Sequence, residues 1–231
     1  MESAIFTRIE QRTVQQEVVD VVRHAIVSGK LELGQHLAEA ALSEQMHVSR
    51  IPIREALRQL EQEGLVTRYN NRGCFVVDFS DEDVLEVFSL RSALESMAIE
   101  WATPNFTQED ISFLQGLIDE QRHSAQAGDF AGLAQLDMRF HEYICVKAQH
   151  SRLLKEWYSL HAQCQILLNR RFQALSDYTP ETVSEDHTLI LNAFEKGDIA
   201  TAIHLTKTIS SRVELECIET LHHLKKKQAR K

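Results

Sequence analysis

Apolar side chains recur at helical spacing in the first third of the chain and predict three helices. The first series consists of Val14, Val18, Val21, Val22, Ala25 and Ile26, and it ends before Gly29. The second consists of Ala41, Leu42 and Met46. The third consists of Ile53, Ala56, Leu57, Leu60 and Leu65. Its helix is predicted to begin at Ser49, whose hydroxyl is suited to cap the first amides, with Pro52 in the first turn.

The segment after Gly64 changes to strand composition. Residues 65–68 and 74–77 have the apolar and β-branched content of two short strands, and Asn70, Asn71, Arg72 and Gly73 lie between them. These four residue types favour a tight turn, so the segment predicts a hairpin. Helix, turn, helix and hairpin in this order predict a winged helix-turn-helix.

From residue 81 onward the pattern contains long amphipathic segments and no strand signal. It predicts six helices, over residues 83–102, 108–127, 130–148, 151–172, 180–196 and 199–225. The predicted fold is therefore mainly α: an N-terminal winged helix-turn-helix followed by an all-α six-helix antiparallel bundle. The polar stretch 78–80 marks the boundary between a DNA-binding domain, 1–78, and a helical domain, 79–231.

The face of the third helix opposite its apolar side carries three arginines one turn apart, Arg50, Arg54 and Arg58. A helix that follows a tight turn enters the major groove of DNA, and a hairpin with a cationic tip lies beside or in the minor groove. The net charge of −9 does not oppose this interpretation, because residues 1–77 contribute −1 and the remainder −8. Double-stranded DNA is the predicted partner.

Cysteine usage and hydropathy exclude other classes of protein. The cysteines Cys74, Cys145, Cys164 and Cys217 are scattered without a C-x-x-C pair, which argues against a disulfide framework and a thiolate zinc site. There is no apolar run long enough to span a bilayer and no apolar stretch typical of a signal peptide. We therefore expect a cytoplasmic protein that does not contact a membrane.

Polar residues at helical spacing are the candidates for chemistry in the bundle. Asp137 and His141 are four residues apart, which places a carboxylate and an imidazole on one helix face. With His187 they form a set of ligands suited to Zn, Ni or Mn, with positions left for water or an anion. The alternative is a surface ion pair and an ordinary polar histidine. Arg91 lies beside an apolar stripe and either extends to solvent or clamps an anion.

The segment VSRIPIREALRQLEQEGLV, followed by NNRGCFV, closely resembles the DNA-binding domain of the GntR superfamily of bacterial transcriptional regulators. The resemblance covers residues 34–77. It implies that Arg50 and Arg54 contact DNA and that Arg72 and Gly73 form the wing tip, and the predicted DNA site also includes Ser49 and Arg58. A further family arginine corresponds to Ala40, so one contact has been lost or moved.

The helical segments LRSALESMAIEWA, LDMRFHEYI and EDHTLILNAFEKGD are similar to the FCD effector-binding domain of the FadR/VanR-like branch. This resemblance implies a divalent metal held by Asp137, His141 and His187, which helps to bind a carboxylate effector. The fourth family ligand, a histidine, corresponds to Ile209, so either three protein ligands hold the metal or it is absent. The predicted effector site consists of Arg91, Asp137, His141, His187, Arg139 and Arg212.

Together these features predict a ligand-responsive repressor that is released or modulated by a small organic acid or related metabolite. A single recognition helix reads few base pairs, so we expect a homodimer on a near-palindromic operator. Its contacts are expected from the first bundle helix and the apolar surface around the wing. The alternative is a metal-dependent hydrolase fused to a DNA-binding module. The chain lacks a Gly-rich phosphate loop, G-x-S-x-G and H-E-x-x-H, so we do not expect an enzyme.

Overall fold

A computed structural model of the protein describes residues 13–174 and 181–228. The chain divides into two compact units. The first contains the described residues up to Ile26 together with Lys30–Val77. The second contains Val27–Gly29 and the described residues from Asp78 onward. Each unit has its own hydrophobic core, and each is described separately below.

The first unit has three helices and a small antiparallel sheet. Its elements are α1 (Val14–Val27), β1 (His36–Leu37), α2 (Glu39–Met46), α3 (Arg50–Gln62), β2 (Val66–Tyr69) and β3 (Gly73–Val76). The strand order is β1-β3-β2, with Val66 opposite Val76 and Tyr69 opposite Gly73. The winged helix-turn-helix predicted from the sequence is confirmed.

The core of this unit differs in part from the predicted apolar faces. Val18, Val22 and Ile26 of α1 are buried as expected, together with Val19. Val14 and Val21, however, are 49% and 56% exposed, and Ala41 of α2 is also exposed. The reason is that a helix buries only an arc of its surface, and the buried arc of α1 includes position 19 rather than position 21.

Helix α3 begins where the sequence predicts, but its cap differs. Ser49 has the extended backbone of an N-cap residue, yet among the described residues its hydroxyl makes no capping hydrogen bond. The turn is instead held by the Ser43 hydroxyl, which donates to the Val48 carbonyl at 2.6 Å. His47 ends α2 in the left-handed region, with φ of 54°. The Ser43 hydroxyl and the backbone of His47 therefore hold this turn without the Ser49 side chain.

Strand β1 adds a third strand to the wing. His36 and Leu37 pair with Phe75 and Cys74 of β3, which makes the wing a three-stranded sheet. Two residues are too short a run for alternation to be visible in the sequence, and the pairing depends on the partner strand. The wing is thus anchored on both sides of β3.

The second unit contains six helices, α4 (Asp81–Ala102), α5 (Gln108–Ala127), α6 (Phe130–Lys147), α7 (Ser151–Ala174), α8 (Glu181–Glu195) and α9 (Ile199–Gln228). A short 3₁₀ turn, Thr103–Asn105, follows α4. Helix α4 begins two residues earlier than predicted because Ser80 and Asp83 form a capping box. Pro180, predicted to begin α8, lies outside the described residues, as does the end of the tail after position 228. The predicted all-α domain is confirmed.

Helix α4 packs against α6, α7 and α9, while α5 packs against α6 and α8. The core includes Phe88, Ile99, Phe140, Trp157 and Leu168. The four cysteines all lie in the described part and are buried free thiols, as expected. Within the described residues, no helix has the length and hydropathy that a membrane span requires.

Candidate functional sites

The exposed face of α3 carries the arginines that the sequence predicts to contact DNA. Arg50, Arg54 and Arg58 are all exposed and follow one another at intervals of one turn. The buried face of the same helix consists of Ile53, Ala56, Leu57 and Leu60. Because these apolar side chains fix the rotation of α3, its guanidinium groups project outward, where a duplex can reach them.

Helix α2 supplies an acidic partner that sequence reasoning missed. Glu39 accepts hydrogen bonds from Nε and Nη2 of Arg54, at 3.2 and 3.1 Å, and lies 3.9 Å from Arg68. Arg68 also pairs with Glu61 at 3.3 Å. The exposed neighbour of Glu39 is Ala40. Glu39 therefore orients Arg54 in the free protein.

The wing tip has a defined conformation. Asn71 and Gly73 both have positive φ, 62° and 90°. The positive φ favours glycine at position 73, and a Cβ there would lie 2.9 Å from Nε2 of His36, so the His36 ring would have to shift. The Arg72 guanidinium lies 5.7 Å from the ring centroid of Tyr69 and 5.8 Å from that of Phe75. These cation–π contacts present Arg72 on the exposed tip.

In the second unit, the predicted metal ligands come together. Asp137 and His141 lie on α6 and His187 on α8, and one ligand atom from each lies within 4.8 Å of the others. All three residues are buried, so the alternative of a surface ion pair is wrong. His187 lies more than one turn inside α8. Nε2 of His187 is 3.1 Å from Nε2 of His141 and 3.6 Å from Oδ1 of Asp137.

A second residue contacts Nδ1 of each imidazole and orients the ring. Nδ1 of His141 is 2.9 Å from Oε2 of Glu95, and Nδ1 of His187 is 2.8 Å from Oε1 of Gln121. Gln121 is itself oriented, since its Nε2 donates to the Leu136 carbonyl at 3.2 Å. Both Nδ1 atoms are thus occupied, and the two Nε2 atoms face each other. This is the arrangement of metal-ligating histidines, whose other ring nitrogen donates to an oxygen.

Arg91 points inward, as the family resemblance implies. Its Nε donates to Oε1 of Glu95 at 2.7 Å and its Nη2 to Oδ2 of Asp137 at 3.2 Å. Burial acts to raise the pKa of both carboxyl groups, but Arg91, His141 and smaller contributions together outweigh it, so each pKa is lowered. Burial, followed by the influence of His141, lowers the pKa of His187 to about 3. The cluster therefore contains ionised carboxylates and a neutral His187.

Glu95 and Gln121 were not predicted as site residues. Glu95 follows Arg91 by four positions, a spacing that places both on one helix face and that could have identified it. Gln121 has no such signal in the sequence. Trp157 completes the cluster, because its indole Nε1 donates to Oε1 of Glu95 at 3.3 Å.

A cavity of about 30 Å³ adjoins this cluster. Its polar lining includes Arg91, Glu95, Asp137 and His141, and its apolar wall includes Ile209 of α9. The sequence placed Ile209 at the fourth ligand position, and its presence on this wall agrees with that alignment. Because one water molecule requires roughly 10–15 Å³ of cavity volume, the cavity has room for about two.

Two of the predicted effector residues, Arg139 and Arg212, are not among the residues that line the cavity. Arg139 is on the surface of α6, where its side chain is 46% exposed and lies 3.7 Å from Glu120. Its position follows from helix geometry, because two residues from Asp137 corresponds to about 200° around the helix. Arg212 is 41% exposed and pairs with Asp186, the neighbour of His187. Arg139 is thus excluded from the cavity wall, and Arg212 borders the cluster from outside.

Comparisons with known proteins identify the two domains that carry these candidate sites. Residues 14–76 match the family model "Bacterial regulatory proteins, gntR family", and residues 86–210 match the FCD domain. A probable D-xylose utilization operon transcriptional repressor from Paenarthrobacter nicotinovorans is 29% identical over 197 residues, which is 85% of each chain. A gluconate operon transcriptional repressor from Bacillus licheniformis is 28% identical over 180 residues, covering 77% of this chain and 74% of that protein.

Solved structures show the same fold. A putative transcriptional regulator GntR from Rhodococcus sp. RHA1 has a TM-score of 0.74 at 22% identity, over 89% of this chain and 97% of that one. McbR/YncC from E. coli has a TM-score of 0.74 at 21% identity, over 93% of this chain and 99% of that one.

The protein belongs to the GntR family of bacterial transcriptional regulators, in the branch that carries an FCD effector-binding domain. It is a DNA-binding regulator, and the relatives described above are repressors. Members of this family are regulators rather than enzymes, which confirms the expectation from the sequence that the protein is not an enzyme. The hypothesis of a metal-dependent hydrolase finds no support in the comparisons.

Proposed function

We propose that this regulator represses an operon for the uptake or breakdown of a small carboxylate and is released when that carboxylate enters the helical unit beside a divalent metal. The observation that carries the proposal is the convergence of Asp137, His141 and His187, with Nδ1 of each imidazole already bound to an oxygen. The relatives named for D-xylose utilization and gluconate operons support a role in carbon metabolism.

The residues present fit a metal ion. Nitrogen and oxygen ligands of one Zn²⁺ lie roughly 3–3.5 Å apart when each bond is about 2 Å, and the Nε2 atoms of His141 and His187 are 3.1 Å apart. Asp137 Oδ1 would be the third ligand, while its Oδ2 stays with Arg91. Ile209 leaves the fourth position to water or effector. When bound, the ion would attract the carboxylate oxygen of the effector.

The charge of the cluster also supports this assignment. Metal ligation requires both imidazoles to be neutral, and in that state Arg91, Glu95 and Asp137 give a buried net charge of −1. Buried charge is costly unless it is compensated, so the cluster favours a cation. A divalent ion would change the net charge to +1, and one carboxylate would then bring it to zero. A monocarboxylate effector therefore suits the metal-loaded site better than a neutral sugar.

The small cavity supports a mechanism for the response. An organic acid has several heavy atoms, whereas the cavity has room for about two water molecules. The effector must therefore displace a wall, and that wall includes Ile209, Ser210 and Val213 of α9 together with Phe88 of α4. Binding would favour a conformation in which α4 and α9 are separated, and DNA affinity changes if that conformation binds the operator less well.

Metal titration tests the first part of this proposal. We expect calorimetry with Zn²⁺, Ni²⁺ or Mn²⁺ to show one site per chain, with binding greatly weakened by His187→Gln. The matched control is His123→Gln, which changes an exposed histidine on α5. Equal affinity in all three proteins would reject the site. Gel shifts on the promoter DNA, with and without metal and candidate carboxylates, then test release.

We also propose that the regulator is a homodimer, with the α4 face as the contact. Leu90, Met97 and Trp101 are 45%, 44% and 53% exposed and lie within about 40° of one another around α4. An exposed apolar patch of this kind is typical of a protein interface. A groove of about 550 Å³ beside it is lined by small residues of α4 and α9, such as Ser92, Ala93 and Ser211, which allow close approach of another helix.

Light scattering tests the dimer. Met97→Glu should convert a dimer to a monomer and weaken binding to a near-palindromic operator, since both half-sites are then no longer bound together. Leu189→Glu makes the same change at a residue of α8 that is 51% exposed and serves as the control. A wild-type monomer would reject the proposal. With its target in bacterial DNA, we place the protein in the cytoplasm.

A further inference from the structure

Glu95 lies one turn after Arg91 in the middle of α4, and its side chain is only 4% exposed. Its two carboxylate oxygens have different partners. Oε1 accepts from Nε of Arg91 at 2.7 Å and from Nε1 of Trp157 at 3.3 Å. Oε2 lies 2.9 Å from Nδ1 of His141. Glu95 therefore connects the arginine to one of the metal-binding histidines.

An ionised carboxylate can only accept hydrogen bonds, so Nδ1 of His141 must carry a proton. The other ring nitrogen, Nε2, is then left with a lone pair for a ligand. It points to Nε2 of His187, 3.1 Å away, which has the same character because Gln121 presents its oxygen to Nδ1 of that ring. Two lone pairs at this distance repel each other unless a cation lies beside both.

We infer that Glu95 is a positioning residue that keeps the proton of His141 on Nδ1 and thereby keeps Nε2 available as a ligand. The inference rests on the proposed metal function and deepens it, because it assigns the control of ligand competence to a residue that does not touch the ion. This positioning role also explains why Glu95 lies four residues after Arg91. The same carboxylate holds the guanidinium that neutralises Asp137.

Because the two carboxylate oxygens of Glu95 have different partners, the Glu95→Gln change tests the inference directly. Two N–H groups, from Arg91 and Trp157, point at the Oε1 position, so the amide oxygen must occupy it. The amide NH₂ group then faces His141, and Nδ1 has to accept a hydrogen bond rather than donate one. The proton moves to Nε2, which blocks the ligand atom, although the size and shape of the side chain are unchanged.

The first measurement is the tautomer of His141 in metal-free protein at pH 8. Long-range ¹H–¹⁵N correlation spectra of full-length protein with ¹⁵N-labelled histidine distinguish the two ring nitrogens, and a His141→Gln spectrum identifies the signals. We expect the proton on Nδ1 in wild type and on Nε2 in Glu95→Gln. A purely structural role for Glu95 would leave the tautomer unchanged.

The control is Asp110→Asn, another buried carboxylate changed to an amide in the same unit. Asp110 is 2% exposed and bonds to Tyr143 and Lys147 rather than to His141. Its loss should lower stability and leave the His141 tautomer as in wild type. Mn²⁺ titration of the same proteins should give a 10- to 100-fold larger dissociation constant for Glu95→Gln only. This is the usual effect of removing a residue that orients a metal ligand.

The outcomes separate this inference from the proposed metal function. If the tautomer reverses in Glu95→Gln but wild type binds none of the metals, the metal function fails and the positioning role stands. If Glu95→Gln keeps the wild-type tautomer, the inference is overturned even when metal binds. Should that variant fail to fold, the wild-type spectrum still decides, because an Nδ1 atom of His141 without a proton in wild type contradicts the role of Glu95.

Discussion

The two units use arginine in opposite ways. In the first, Arg50, Arg54 and Arg58 project from α3 into solvent, and the guanidinium of Arg54 is paired with the half-buried Glu39. In the second, Arg91 is 5% exposed and is committed to two carboxylates. An exposed guanidinium remains available to an external anion such as a phosphate, whereas a buried one is fixed by internal partners.

The difference shows where specificity and stability reside. Removal of a solvent-exposed arginine leaves no buried charge behind, so its loss should change DNA affinity and leave the fold intact. Removal of Arg91 leaves Glu95 and Asp137 with uncompensated charge inside the bundle, so its loss should change stability first. The predictions below test this contrast, from the largest expected effect to the smallest.

The largest effect is expected for Arg91→Met, which keeps the length of the side chain and removes its charge. The free energy of unfolding of the helical unit should fall by about 3–5 kcal/mol, because two buried carboxylates lose their partner. Denaturant titration measures this change. Arg122→Met is the control, since Arg122 pairs with Asp119 on the surface and should contribute less than about 1 kcal/mol. Equal losses in the two variants would contradict the contrast.

Arg54→Ala should weaken specific binding to the operator by about 1–3 kcal/mol if its guanidinium reads a base. Gel-shift titration with promoter DNA measures this loss, and thermal melting shows whether the fold is retained. Arg122→Ala removes the same charge from the helical unit and should leave the affinity unchanged. Unchanged operator affinity in Arg54→Ala would remove this residue from the DNA-binding site.

Ile209→His should raise the affinity for a divalent metal by about tenfold or more, corresponding to about 1.4 kcal/mol, because the cavity wall would then carry a fourth ligand. Calorimetric titration of wild type and variant provides the comparison. Leu215→His places the same imidazole on α9 at a residue that is 60% exposed. A response in Leu215→His as strong as that in Ile209→His would show that the added imidazole acts without the cavity.

Glu39→Gln should have the smallest effect. The change releases Arg54 from its ion pair and removes one negative charge beside the DNA-binding face, so affinity for DNA should rise by about 1 kcal/mol or less. Fluorescence anisotropy at several salt concentrations detects a change of this size. Glu44→Gln alters another acid of α2 and is the charge-matched control. An identical gain in both variants would mean that the pair with Arg54 is irrelevant.

Much of the molecule was predictable from the order of its residues. The apolar spacing in α3 identified its buried and exposed faces, and the wing turn followed from Asn71 and Gly73, which do adopt positive φ. These features depend on neighbours within about one or two helical turns, so a local pattern contains the information. The fourth-ligand position at Ile209 was predicted from family resemblance, and α9 does place it on the cavity wall.

Other features depended on packing between distant segments. Asp137 and His187 are fifty positions apart. The packing of α6 and α8 against α5, and of α4 against α6, helps to bring the cluster together. The role of Glu95 as the partner of His141 requires α4 to present its inner face to α6, and helical spacing alone does not decide which face that is. Arg139 was a candidate by residue type, but the rotation of α6 turned it to the surface.

The sequence by itself determined the class of protein, because the helix-turn-helix and its wing are local structures and the regularly spaced helices require a bundle. The tertiary structure decided which polar groups are buried together, how small the cavity beside them is, and which oxygen holds each imidazole. The physical reason is that a buried polar group must find its partner across the core, and that partner is chosen by the packing of helices rather than by its neighbours in the chain.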